Sequence, residues 1–124
     1  MHVTDLNSAP TRELDGLVSH ILLETGDVAA GNLSVTWVDV EPGKRQPPHT
    51  HPPQQVYVII RGSGRMRVGE EAREVAKGSM VFIPPGAEHG IENTGEETLT
   101  YVSAATPAFT VTDMYDTGRV SLSP

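Results

Sequence analysis

An all-β fold is predicted for this 124-residue chain by three features. Apolar residues almost never recur at the 3.6-residue spacing of an amphipathic helix. Short runs rich in β-branched and aromatic residues recur instead, and twelve glycines and ten prolines supply turns between them. Seven or more strands at such close spacing imply a sandwich or a closed barrel.

Taken in order, the first strand is the apolar run Leu17 to Leu23, closed by GDVAAGN. Leu33 to Glu41, rich in Val, Thr and Trp, is the next and ends at EPGK. Gln55 to Arg61 follows and is closed by GSG at 62–64. RMRVGEEAREV then reads as a hairpin with its turn near Gly69 and Glu70. Met80 to Ile83 is a short buried strand, PPG a tight turn, and NTGEE the turn before a last strand from Thr98 to Ala105. The chain reads as one domain, 1–124, with a central region at 43–93 and less regular extensions at 1–15 and 106–124. Those extensions are expected to wrap the barrel or to swap between subunits.

Charge and composition exclude several classes of function. A formal charge of −7 repels polyanions, so nucleic acid is not an expected partner. The first twenty residues hold no apolar run of signal or membrane length, so the expectation is a cytoplasmic protein with no membrane partner. There is no cysteine, so a bound metal must be held by nitrogen and oxygen.

The stretch GKRQPPHTHPPQQVYVIIRG, residues 43–62, is the most informative. Side chains alternate faces along a strand, so His49, His51, Gln55, Tyr57 and Ile59 share one by parity. Pro47, Pro48, Pro52 and Pro53 restrict the backbone around the histidine pair and reduce the entropy lost in fixing it. His89 follows a Pro-Gly turn at the start of a later extended segment. Two histidines from one segment and one from a neighbour make a facial set of nitrogen ligands. An isolated H-x-H is more often merely a polar loop at a barrel rim.

Gly43, His49, His51, Gln55 and Gly62 fit G-x5-H-x-H-x3-E-x6-G with one substitution, and Gly78, Pro84, Gly86, His89 and Asn93 fit G-x5-P-x-G-x2-H-x3-N with none. At ordinary glycine and proline usage, so many matches at fixed spacing arise by accident on the order of once in many millions of placements. The chain thus resembles the small single-domain cupins, with Gln where their first motif has Glu. The resemblance implies a double-stranded β-helix, or jelly-roll barrel, holding one divalent metal ion (Fe, Mn, Ni or Zn) at the bottom of its cavity. It also implies that His49, His51 and His89 are ligands and that Gln55 occupies the slot of the usual glutamate. Cupins are often dimeric, and a homodimer is the expected assembly.

The glutamine changes the chemistry. A neutral amide oxygen leaves the ion at +2 where a carboxylate would lower it to +1, so binding weakens while Lewis acidity and the attraction for an anionic substrate increase. Gln55 either ligates through its oxygen or stands back and hydrogen-bonds a metal-bound water.

Other residues carry less. Tyr57 could donate a proton to a bound substrate or simply pack in the barrel. Trp37, Met66, Met80, Phe82 and Ile83 have the sizes of core or cavity wall. Glu88 is expected to be a solvated acid, Asn93 to brace a turn, and His20 to be partly buried and hydrogen-bonded. Arg61, Arg65, Arg67, Arg73 and Lys77 read as the solvent face of a hairpin. The expected function is a metal-dependent enzyme on a small-molecule substrate, first an Fe(II)-type dioxygenase of an enolate-forming or aromatic compound. The alternatives are a non-redox isomerase, lyase or polyketide cyclase, and a non-catalytic module that binds or senses a small ligand.

Overall fold

Every β-strand in the computed structural model, which describes residues 1–109, pairs antiparallel with its neighbours. Among the described residues ten strands run in chain order: β1 Thr11–Leu14, β2 Leu17–Leu23, β3 Ser34–Val40, β4 Arg45–His49, β5 Gln54–Arg61, β6 Ser63–Val68, β7 Glu71–Ala76, β8 Met80–Ile83, β9 His89–Asn93 and β10 Leu99–Thr106. They form a six-stranded sheet, β1-β2-β3-β10-β5-β8, and a four-stranded sheet, β4-β9-β6-β7. Packed face to face, the two enclose one apolar core that draws Leu17, Val38, Val40, Tyr57, Ile59, Ile83 and Tyr101 from the first sheet and Met66, Val75 and Ile91 from the second. The all-β, jelly-roll architecture is the one the sequence predicts.

Alternation fixes what faces inward. In β3 every second residue, from Ser34 through Thr36 and Val38 to Val40, is buried, as the period of two in a strand requires. Cross-strand register turns this into layers. Val40 lies opposite Leu99, and Val38 opposite Tyr101, which faces Ile59, so this end is apolar. Thr36 lies opposite Ser103, which faces Tyr57, and Ser34 opposite Ala105, which faces Gln55. The interior therefore grades along the strands from an apolar end to a polar one.

Three expectations need correction. Residues 11–14, expected to be irregular, form β1 against β2. Met80 and Phe82 are not core: they are 60% and 51% exposed, because Ile83 points inward from β8 and its neighbours on that edge strand must alternate. Trp37 also faces outward, half-buried, with Nε1–H donating to the Asp39 carboxylate at 3.3 Å. Met66 and Ile83 are buried as expected. The β6–β7 hairpin turns at Gly69 and Glu70, and its arginines are exposed. His20 is partly buried, with Nε2 3.3 Å from Asp39 Oδ2.

Two glycine turns move the chain between sheets. At Gly62 it leaves β5 for β6 within one residue, at φ +81°, and a Cβ there would lie 2.7 Å from the Thr98 carbonyl oxygen. Gly86, at φ +75°, closes the Pro-Pro-Gly turn, and its N–H donates to the His51 carbonyl at 3.1 Å. That bond ties the two histidine-bearing segments together. At their other ends Gly43 N–H donates to the Asn93 carbonyl at 3.2 Å, and Asn93 N–H to that of Lys44 at 2.9 Å.

Asn93 braces the turn as expected. Its Nδ2 donates to the carbonyls of Val40 at 2.9 Å and Glu97 at 2.8 Å, and its Oδ1 accepts from Gly95 N–H at 2.9 Å. Removing such a buried amide strands its partners away from water. Asn93→Ala should therefore cost roughly 2–4 kcal/mol of stability in urea denaturation; a loss within about 0.5 kcal/mol, the range of ordinary surface changes, would refute the bracing role.

Candidate metal centre

Proline chemistry places the first histidine. Pro47 and Pro48 cannot donate to a ladder, and the β4–β9 pairing slips there from Gln46 opposite Ile91 to His49 opposite His89. The slip puts two residues of β4, Pro47 and Pro48, against one of β9, Gly90, a bulge that lets Gln46 and His49 both face inward although their spacing is odd. His49 and His89 thus confront each other across the ladder with ring centroids 4.3 Å apart.

His51 arrives by a different route from the one parity suggests. β4 ends at His49 in the four-stranded sheet and β5 begins at Gln54 in the six-stranded sheet, so residues 50–53 form a corner between them. His51 sits in that corner, buried, with its ring 4.9 Å from that of His89 and 5.5 Å from that of His49. The histidines and Gln55 do meet on the inside, but because the chain turns from one sheet into the other rather than along one strand.

Each of the three histidines offers a ring nitrogen within 4.8 Å of the others, a grouping that could hold a metal ion. Carbonyls fix the tautomer of two. His49 Nδ1 lies 2.8 Å from the Pro47 carbonyl oxygen and His89 Nδ1 2.9 Å from that of Ala87. A carbonyl only accepts, so both Nδ1 atoms carry the proton and both Nε2 atoms keep a lone pair. Gln46 Nε2, 3.5 Å from His49 Nδ1, cannot donate to a nitrogen already protonated, and that contact is packing.

Burial keeps all three rings neutral. The His49 pKa falls from 6.5 to about 3, chiefly by burial and then by repulsion from His89, with the Pro47 carbonyl partly opposing. That of His51 falls to about 4 by burial and then His89, against the pull of the Pro53 carbonyl and the Gln55 side chain. His89 is lowered by burial, with the Ala87 carbonyl and the Glu88 carboxylate opposing. Neutral imidazoles need release no proton to bind a cation.

The residues fit a metal ion. Among the described residues, His51 Nδ1, His89 Nε2 and Gln55 Oε1 are buried without a hydrogen-bond partner, as are Ser34 Oγ and Gln46 Oε1. Such buried orphans in one region are the pattern expected where an ion or water belongs. Gln55, only 4% exposed, directs Nε2 at Ser103 Oγ, 2.6 Å away. Tyr57 is buried, stacked on Tyr101 at 4.2 Å and edge-on to His89 at 5.8 Å. Glu88 is exposed, as expected.

Three neighbours of the cluster escaped the sequence reading. Ser103 is a polar residue on the largely apolar β10 and Gln46 lies in the polar, proline-rich β4, and only register brings them inward. Phe109 stacks on His51 with centroids 4.7 Å apart. Its approach is held at Asn32, whose carbonyl accepts from Thr106 Oγ1 at 2.8 Å and whose Oδ1 accepts from Ala108 N–H at 3.1 Å. Residues 106–109 thus fold back toward the site; the expected wrapping or swapping of the remainder, 110–124, lies outside the described residues.

Comparison with known proteins agrees with this architecture. The cupin-domain family matches residues 36–105, more than half of the chain. This protein is a cupin. An uncharacterized protein of Methanocaldococcus jannaschii is 30% identical over 100 residues, 80% of each chain. In structure the cupin resembles a predicted oxalate decarboxylase of Thermotoga maritima, with TM-score 0.76, 18% identity and coverage of 86% of this chain and 99% of that one. It also resembles the polyketide cyclase RemF of Streptomyces resistomycificus, with TM-score 0.71, 23% identity and coverage of 86% and 79%.

The buried rings make the metal-free cupin acid-sensitive. Below pH 6.5 the unfolded chain takes up protons that the folded rings refuse, so stability rises with pH between the folded values, about 3 and about 4 for His49 and His51, and 6.5. The urea midpoint of metal-free protein should therefore fall steadily from pH 6.5 to pH 4.5, and His49→Gln should flatten that slope. An unchanged midpoint across this range would contradict neutral, buried imidazoles.

Proposed function

We propose that this cupin is a metal-dependent enzyme that binds an enolisable carbonyl compound or carboxylate as its anion and converts it without net oxidation, by a lyase or cyclisation reaction. The observation that carries this reading is the donor set. Among the described residues the candidate group consists of three histidines with no carboxylate in it, and the side chain beside them is the neutral carboxamide of Gln55. His49, His51 and His89 hold the ion and Gln55 adds its amide oxygen. An ion bound this way keeps its full +2 charge and supplies Lewis acidity to a substrate oxygen. The likeness to a polyketide cyclase and a predicted oxalate decarboxylase supports the non-oxidative direction.

The chain's own groups do the rest. Tyr57, packed edge-on against His89, is the candidate proton donor for the substrate carbon or oxygen. Ile83, paired with Gln55, and Val68, paired with His89, keep water from the anion. The Phe109 ring over His51 offers a flat apolar surface and favours planar substrates.

The Fe(II)-type dioxygenase stands as the second reading. Its support is the group of three neighbouring histidines, which would leave coordination positions of a bound ion for both a substrate and oxygen. Anaerobic assays of the Zn2+-loaded and Fe(II)-loaded cupin against β-diketones, poly-β-ketones and small dicarboxylates decide between them. Turnover without oxygen and with zinc is expected. Product only with iron and oxygen would reverse the order, and a ligand that raises the Tm with no product under any condition would make the cupin a binding module.

A homodimer is proposed from the outer face of the six-stranded sheet. Val58 and Ile60 on β5 and Met80 and Phe82 on β8 are all more than a third exposed, and Val58 pairs with Met80 and Val56 with Phe82, so they form one patch. On a chain with charge −7, this uncharged patch is where a second copy approaches with least repulsion. Sedimentation should show a dimer for the native protein and a monomer for Met80→Glu/Phe82→Glu; a native monomer at all concentrations, or a dimer that survives the double change, would discard this face.

A further inference from the structure

We propose that the outer face of the four-stranded sheet carries an anion site, built by Arg45, Arg65 and Arg67, that takes a phosphate group. It lies on the reverse of the ladder that carries His49 and His89 and does not depend on what those histidines bind.

Register sorts arginines that look alike along the chain. Arg65 and Arg67 alternate with the buried Met66 on β6, so both point away from the core. Arg73 lies opposite Met66 and therefore leaves β7 on the other side, at the open edge of the sheet. Arg45 joins the outer group, since it lies opposite Glu92, which in turn faces Arg65. The next row of the sheet reads Gly90, Arg67, Ala72.

Small residues make room among the guanidiniums. Gly90 has no side chain and Ala72 only a methyl, and the surface beside Arg67 sinks into a depression of about 260 Å3 that Arg45, Arg65 and Glu92 also line. The bulge at Pro47 and Pro48 favours glycine there: a Cβ on Gly90 would lie 3.0 Å from the Gln46 carbonyl oxygen and 3.2 Å from Pro48 N. The irregularity that turns His49 inward thus also clears the floor of this hollow.

Charge then selects the occupant. Arg65 is engaged by Glu74 across the hairpin, Nη1 to Oε1 at 3.4 Å. Among the described residues no carboxylate lies within ion-pair distance of Arg45 or Arg67, although Glu92 is opposite Arg45 in register. Two unpaired guanidiniums therefore border one hollow on a chain of net charge −7. Their strands are two apart, about 10 Å across the ladder, a span that two long side chains bridge with one ion between them. A guanidinium holds an oxyanion through paired N–H donors, and a monocarboxylate has a single pair of oxygens to offer. Phosphate presents oxygens on several sides, so it meets two guanidiniums at once and sets two negative charges against two positive ones. The hollow is smaller than the roughly 300 Å3 at which sites for drug-sized ligands begin, so it fits inorganic phosphate or the phosphate end of a larger molecule.

Amide NMR spectra of the full chain, titrated with inorganic phosphate at low ionic strength, test this. The Arg67 and Ala72 amide resonances should shift together and saturate. Arg67→Ala should weaken binding about tenfold, the loss of one charge-assisted partner, and Arg67→Lys, which keeps the charge but not the fork, about threefold. Arg73→Ala removes the same charge from the same hairpin on its other side and should stay within about twofold of the native affinity. A loss equal to that of Arg67→Ala would show diffuse attraction to positive charge and overturn the proposal. Shifts that never saturate would do the same, as would tighter binding of malonate than of phosphate. Loss of binding in His49→Gln would put the ion inside the barrel and also overturn it. Should Arg67→Ala not fold, Arg45→Ala makes the same comparison from β4.

Discussion

Two histidines that each donate Nδ1–H to the carbonyl two residues earlier are the constraint around which the site is built. His49 does so to Pro47 and His89 to Ala87. The bond fixes ring orientation and tautomer together, so each Nε2 lone pair is committed before anything binds. A free imidazole would spread between two tautomers and several rotamers, and gathering three of them would cost conformational entropy at the moment of binding. Here that cost is met during folding, by a bulge at Pro47 and Pro48 on one side and a Pro-Pro-Gly turn on the other.

The barrel interior divides along its strands, and the division explains how a cluster of three buried imidazoles is tolerated. Leu17, Val40, Leu99, Tyr101 and Ile59 occupy one end and are almost wholly buried. That apolar layer stabilises the fold by removing surface from water. The other end carries Ser34, Thr36, Ser103, Gln55 and the histidines, where several buried polar atoms lack partners. Unsatisfied polar atoms destabilise a fold, and a site that keeps them exchanges stability for the capacity to bind. Hydrophobic burial at one end thus offsets the polar burial at the other.

Replacing a carboxylate by a carboxamide alters more than charge. It lowers affinity for a cation while leaving that cation more electrophilic, and it introduces an orientation that a symmetrical carboxylate does not have. The Ser103 hydroxyl beside Gln55 and the Phe109 ring beside His51 belong to parts of the chain with no motif signature. Both are supplied by β10 and the segment after it. The side chains that border the histidine cluster are therefore more dispersed along the chain than those that form it.

The all-β class, most strand positions, the β6–β7 hairpin and the histidine trio were legible in the sequence, because each depends on local chemistry: side-chain alternation, turn residues and fixed spacing. Asn93 as a brace and the solvent face of the arginines were legible for the same reason. The outward turn of Met80 and Phe82 was hidden, since adjacent apolar residues in a four-residue strand do not reveal which one faces the core until a second sheet is packed against it. Parity along residues 49–59 put the right residues together by the wrong path, because no local signal shows a chain leaving one sheet for another. Spacing by itself determined which side chains could converge; their actual convergence, and the pairing of Gln55 with Ser103 forty-eight residues later, were decided by strand register, a contact between distant segments that only the closed barrel creates.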